Sequence, residues 1–130
     1  MTFYSKEVER LRKQLFPHDD LTKQVIAAKL YIDKHFADDI SLDKISAKAH
    51  VSKFHFICIF KKYYGQTPNQ YLQQVRITNA KRLLEKRRSI NEVCVKVGFT
   101  SKTSFTALFK KLTGITPLAY QNKRAILKNR

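Results

Sequence analysis

Apolar residues recur at helical spacing through most of the chain, and Pro, Gly and small polar residues interrupt that rhythm often enough to divide it into short predicted helices. Phe3 to Phe16 places Val8, Leu11 and Leu15 on one face with opposite charges interleaved, and Pro17 ends it. Pro17 to Asp20 reads as a turn or linker. Asp20 or Thr22 then caps a helix over Thr22 to Phe36, with Val25, Ile26, Leu30 and Ile32 or Tyr31 facing inward, and Asp38 and Asp39 mark a loop. In the longest uninterrupted run, Thr67 to about Lys86, Thr67 offers an N-cap oxygen and Pro68 takes the first helical position, where its missing N–H costs nothing. At 1.5 Å per residue this helix spans about 30 Å, close to the roughly 34 Å between successive major grooves on one face of B-DNA. Its apolar residues, Tyr71, Leu72, Val75, Ile77, Ala80, Leu83 and Leu84, exceed one narrow stripe, so it is expected to pack on more than one side.

The segments flanking that long helix are copies of one pattern. Ser41 to Tyr71 returns as Ser89 to Tyr120 with one inserted residue, and Ser52 to Tyr71 laid over Ser101 to Tyr120 is identical at ten of twenty positions. Each copy reads as helix, tight turn, helix. Ser41 caps a helix through Ala49, the turn falls at His50 and Val51, and Ser52 caps a second helix that runs to Tyr64 before Gly65 stops it. In the second copy Ser89 and Glu92 form a capping box, Gly98 tolerates positive φ in the turn, and Ser101 or Thr100 starts the helix that Gly114 ends. The first helix of each pair needs a small residue where the second crosses it, and Ser46 and Cys94 hold equivalent places. Thr116-Pro117 opens a last helix, with Leu118 and Tyr120 packing back, and the end, KRAILKNR, reads as a basic frayed tail.

The second helix of each copy separates into two faces. Phe56, Ile59, Phe60 and Tyr63, and likewise Phe105, Leu108, Phe109 and Leu112, follow the three-and-four spacing of a core stripe. Left outside are Lys53, Phe54, Ile57, Cys58 and Lys61 in the first copy, and Lys102, Thr103, Thr106, Ala107 and Lys110 in the second. These side chains are the candidates to meet base edges, and the caps Ser52 and Ser101 are counted with them as DNA-binding residues. Lys61, Lys62, Lys110, Lys111 and Arg76 of the long helix are candidates for phosphates.

Charge sharpens this picture. The 130 residues carry 26 Lys and Arg against 10 Asp and Glu, a net +16, which makes nucleic acid the first partner to consider. The excess sits in the repeated part: Met1 to Asp43 hold seven basic and eight acidic residues, while Lys44 to Arg130 hold nineteen basic residues and only Glu85 and Glu92 as acids. The alternative is a solvated basic face with no partner. Cys58 and Cys94 lack CxxC spacing and no secretory signal or membrane-length apolar run is present, which points to a reduced cytoplasmic protein without a membrane partner. His18, His35, His50 and His55 make no metal-ligand pattern; His55 and Cys58 share a helical face, but two ligands do not close a zinc site. No carboxylate pair, Ser/His/Asp set or phosphate loop appears, so the chain is not expected to be an enzyme or to carry a cofactor.

At these residues the chain resembles the DNA-binding domain of the AraC/XylS family of bacterial transcription regulators. The resemblance covers roughly Thr22 to Lys123 and is most specific over VGFTSKTSFTALFKKLTGITPLAYQ, where Gly98-Phe99, Phe105, Phe109-Lys110, Gly114 and Thr116-Pro117 followed by Tyr120 stand in the family's places. It implies an all-α fold of seven helices in which two helix-turn-helix subdomains are joined by a long central helix, here with a short N-terminal helix added. The expected divisions are 1–20 as extension or linker, 21–66 as first subdomain, 67–88 as connecting helix, 89–124 as second subdomain and 125–130 as basic tail. By position, the family's base-contacting sites fall on Phe54, Ile57 and Cys58, and on Lys102, Thr103, Thr106 and Ala107. Many members have arginine where Cys58 and Ala107 stand, so the strongest guanine contact is missing from both helices.

The expectation is therefore a sequence-specific, double-stranded DNA-binding regulator, an activator by resemblance, with RNA polymerase as a further partner and no small-molecule effector site within these residues. It is either a short stand-alone regulator or the C-terminal portion of a longer one. Two alternatives remain. A non-specific or RNA-binding basic module would need exposed aromatics for stacking, and only Phe54 projects. A thiol-sensitive regulator would work through Cys58 beside Lys61 and Lys62, against the plainer reading of a small apolar contact.

Overall fold

The computed structural model describes residues 19–48 and 52–128. The Phe3 to Phe16 helix and the His50-Val51 turn lie outside the described residues. Among the described residues there are seven α-helices and no strand: α1 (Asp19–His35), α2 (Leu42–Lys48), α3 (Lys53–Tyr64), α4 (Pro68–Glu85), α5 (Ile90–Lys96), α6 (Lys102–Thr113) and α7 (Pro117–Lys128). They form two compact units. Among the described residues, one groups 19–31 with 41–48 and 52–68, and the other groups Ile32–Ile40 with 69–128. The long central helix α4 joins them, with Pro68 in the first unit and the rest in the second.

Local chemistry explains most helix ends. The Ser41 hydroxyl accepts the Lys44 N–H at 3.2 Å, and Ser52, Ser89 and Ser101 accept those of His55, Glu92 and Ser104 at 3.2, 3.2 and 3.1 Å. Gly65 and Gly114 close α3 and α6 in the left-handed conformation, each N–H bonding the lysine carbonyl four residues back. The Glu92 carboxylate of the expected capping box is engaged by Arg88 at 3.1 Å and Lys96 at 3.3 Å. Two ends differ from expectation. Helix α1 already includes Asp19, ahead of the expected start at Thr22, and so takes in residues expected as linker. Helix α7 runs on through Lys128, taking in most of the expected frayed tail.

In the first unit the buried residues are Val25 and Ala28 of α1, Ile45 and Ser46 of α2, Phe56, Ile59 and Phe60 of α3, and Pro68 at the start of α4. The inward stripe of α1 is Val25, Ala28 and Ile32, so Ile26 and Leu30, expected inside, are exposed. Tyr63 is also half out: its ring end reaches water, where the Thr22 hydroxyl donates to the Tyr63 oxygen at 2.7 Å.

In the second unit Ile77, Ala80 and Leu84 of α4 close over Val93, Cys94, Val97, Phe105 and Phe109, with Phe36, Phe99 and Tyr120 packed against them. Phe99, Phe105, Phe109 and Tyr120 make a chain of tilted rings 5.3 to 5.9 Å apart. Leu112 and Leu118, expected to pack inward, are about half exposed. Leu112 lies one turn beyond the two phenylalanines that fill the core, and on α7 it is Pro117 and Tyr120 that turn inward. Gly98 takes φ +95°, and a Cβ there would stand 3.0 Å from the Ala37 carbonyl oxygen. That contact draws the turn against the loop after α1. Ser46 and Cys94 are buried at their matching places, the Cys94 thiol 3.7 Å from the Phe99 carbonyl, and burial pushes that thiol's pKa up.

Candidate nucleic-acid interface

Burying Phe56, Ile59 and Phe60 fixes the rotation of α3, so the opposite face must look outward. Phe54, Ile57, Cys58 and Lys61 fall at i, i+3, i+4 and i+7 on that face, with Lys62 beside them. In α6 the buried pair Phe105 and Phe109 does the same for Thr103, Thr106, Ala107 and Lys110, with Lys111 beside them. The two sets correspond residue for residue. Phe54 is 78% exposed, Cys58, Lys61 and Lys62 are exposed, and Ile57 is half-buried. Lys102, Thr103, Ala107, Lys110 and Lys111 are exposed and Thr106 is half-buried. The lysines in each last turn also suit the negative end of the helix dipole, a structural use that does not depend on DNA.

The first cation of each helix meets different surroundings. Lys53 reaches Asp43 of α2 at 3.4 Å. In the second unit the residue equivalent to Asp43 is Asn91, and Lys102 has no ion pair among the described residues. Ser52 and Ser101, named as contact residues, are exposed, and each hydroxyl oxygen also accepts one backbone N–H as a helix cap.

The structure brings fourteen of the fifteen proposed site residues onto these two helices and their caps and places Arg76 elsewhere. Its Nε donates to the Phe36 carbonyl at 2.7 Å, an Nη donates to the Asp38 carbonyl at 3.0 Å, and the guanidinium stands 5.7 Å from the centre of the Phe99 ring. Burial lowers its pKa, with Asp39 opposing the shift. This arginine ties α4 to the loop after α1. The repeated tyrosine has an anchoring task too: Tyr71 donates to the Asp33 carboxylate, and Tyr120 donates to Glu85 at 2.7 Å. Sequence reasoning passed over His55 and Ser104, which are exposed at equivalent places in the first turns of α3 and α6. Laying one copy on the other already pairs them. Among the described residues no group of acidic, His and Cys side chains could hold a metal, and no helix is long and apolar enough to cross a membrane.

Two copies of a short helix, a turn and a second helix with a cationic outer face define a tandem helix-turn-helix module. The pattern of the helix-turn-helix domain family matches residues 45–123. The chain is 33% identical over 122 residues to the probable transcriptional regulator LumQ of Photobacterium leiognathi, covering 93% of this chain and 44% of that protein. It is 37% identical over 92 residues, 70% of its length, to the bifunctional transcriptional activator/DNA repair enzyme AdaA of Bacillus subtilis, again 44% of the relative. Among solved structures, the DNA-binding domain of the global transcriptional factor AdpA, crystallised with a target DNA, superposes with a TM-score of 0.78 at 25% identity, over 82% of this chain and 96% of that one. The chain belongs to the AraC/XylS family of helix-turn-helix DNA-binding domains of bacterial transcription regulators. It spans less than half the length of LumQ and AdaA.

Proposed function

We propose that this chain binds double-stranded DNA sequence-specifically by inserting α3 and α6 into successive major grooves, and that it acts as a promoter-bound activator through contact with RNA polymerase. The observation that carries the DNA reading is that the two outer faces lie at matching positions, each held by a serine cap and a left-handed glycine and each carrying a lysine pair in the last turn, although Phe54, Ile57 and Cys58 differ from Thr103, Thr106 and Ala107. One such face is common on a basic protein; two at matching positions suit a target that repeats. The relative named as a transcriptional activator supports the direction of regulation. Phe54, Ile57, Cys58 and Ala107 suit thymine methyl groups, and Lys102 is left for a guanine or a phosphate, so the site is richer in A·T, with part of the specificity read from DNA shape.

The test is selection of bound duplexes from a random pool, followed by footprinting of the winner. The expected site holds two A·T-rich blocks about 10 base pairs apart, both protected. G·C-dominated blocks would remove the base-contact assignment, and protection of a single block would remove the two-groove mode. A competitor RNA of equal charge that displaced the selected duplex would favour the general nucleic-acid module.

A further inference from the structure

We propose that the groove between α4, the end of α6 and the second half of α7 is a docking site for an acidic amphipathic segment of a partner protein. The groove has a volume of about 470 Å³ and is lined by Lys81 of α4, Leu112 of α6, and Tyr120, Lys123, Arg124 and Leu127 of α7, among others. All of it lies within the second unit. At 100° per residue Leu112 stands about 160° around α6 from Lys110, so the groove opens away from the face assigned to DNA.

Its chemistry is amphipathic. Three cations line it and, among the described residues, no carboxylate does. Arg124 leans on Glu85 at 3.3 Å, beside the Tyr120 ring it covers at 5.6 Å, whereas Lys81 and Lys123 have no ion pair among the described residues. Leu112 of α6 and Leu127 of α7 both line the groove, each 48% exposed. Such a pair gains from being covered by apolar atoms, which a phosphate strand does not supply. A helix with one large apolar side chain, and carboxylates a turn away on either side, answers both features: the apolar group enters between the leucines and the acids reach Lys81 and Lys123. Charge complementarity selects an acidic segment over a neutral one.

The experiment uses the full chain and a short fluorescein-labelled helical peptide in which a central Phe is flanked by Glu at i−4 and i+4, followed by anisotropy. The expected result is saturable binding that persists when the selected DNA duplex is added to saturation. It should weaken by about tenfold in Lys81→Gln/Lys123→Gln and about fivefold in Leu127→Ser, with the salt dependence of duplex binding unchanged in both. The proposal is overturned by any of three results: displacement of the peptide by the duplex, equal affinity for a peptide carrying Ser in place of Phe, or unchanged affinity in the variants. The first would make the groove part of the nucleic-acid surface, and the second would reduce binding to net charge.

Discussion

The two helix-turn-helix units are built alike and finished differently. Helices α3 and α6 both start from a serine cap, bury two phenylalanines four residues apart and stop at a left-handed glycine. Their outer faces then diverge: α3 shows Phe54, Ile57 and Cys58, whereas α6 shows Thr103, Thr106 and Ala107. The two copies agree at the capping and packing positions and differ on the outward face, where packing sets no constraint. The units also differ in how the first cation is held, since Asp43 takes Lys53 while Asn91 leaves Lys102 outward.

The turn glycines offer the largest expected contrast. In Gly65→Ala the new Cβ meets open space and only the left-handed backbone is strained, a cost of about 1 kcal/mol. Gly98→Ala adds a 3.0 Å approach to the backbone carbonyl of Ala37, so chemical denaturation should show a loss of about 3 kcal/mol. Equal losses would mean that the second turn is not pressed against the loop after α1.

Arg76→Met comes next. It leaves the Phe36 and Asp38 carbonyls without their donors and should cost about 2 kcal/mol of stability in the same experiment. The salt dependence of DNA binding should stay as it was, because this guanidinium is spent on the fold. A slope lower by about 0.9 would return Arg76 to the phosphate contacts.

The contacts of Arg76 were not legible in the sequence, and the reason bears on what else was. Capping depends on neighbours three or four residues away, so Ser41, Ser52, Ser89, Ser101, Gly65 and Gly114 could be read directly, as could the repeat and the core phenylalanines. The partners of Tyr71, Arg76 and Tyr120 lie 35 to 40 residues away along the chain, and periodicity carries no information at that range. Ile26, Leu30, Tyr63, Leu112 and Leu118 are apolar at helical spacing yet about half exposed, because spacing defines a stripe but not how much of it the neighbouring helices reach. The outward faces of α3 and α6 were legible as the remainder once the core stripe was assigned.

Asp43→Asn carries the smallest effect and makes the first unit resemble the second. The Lys53–Asp43 pair is well exposed on both sides, so stability should change by less than about 0.5 kcal/mol. Freed of its partner, Lys53 should raise duplex affinity by about two- to fivefold at low salt, measured by titration. No gain would mean that Lys53 stands away from the DNA.

The central claim, that both units engage one duplex, is tested most directly by the salt dependence of duplex binding in three proteins: wild type, Lys61→Ala/Lys62→Ala and Lys110→Ala/Lys111→Ala. The log–log slope for the wild type should lie between about −5 and −9, and each double substitution should make it shallower by about 1.8, two phosphate contacts at roughly 0.9 each. A pair whose removal leaves the slope unchanged would show that its helix stays out of the groove, and the two-unit account would fail.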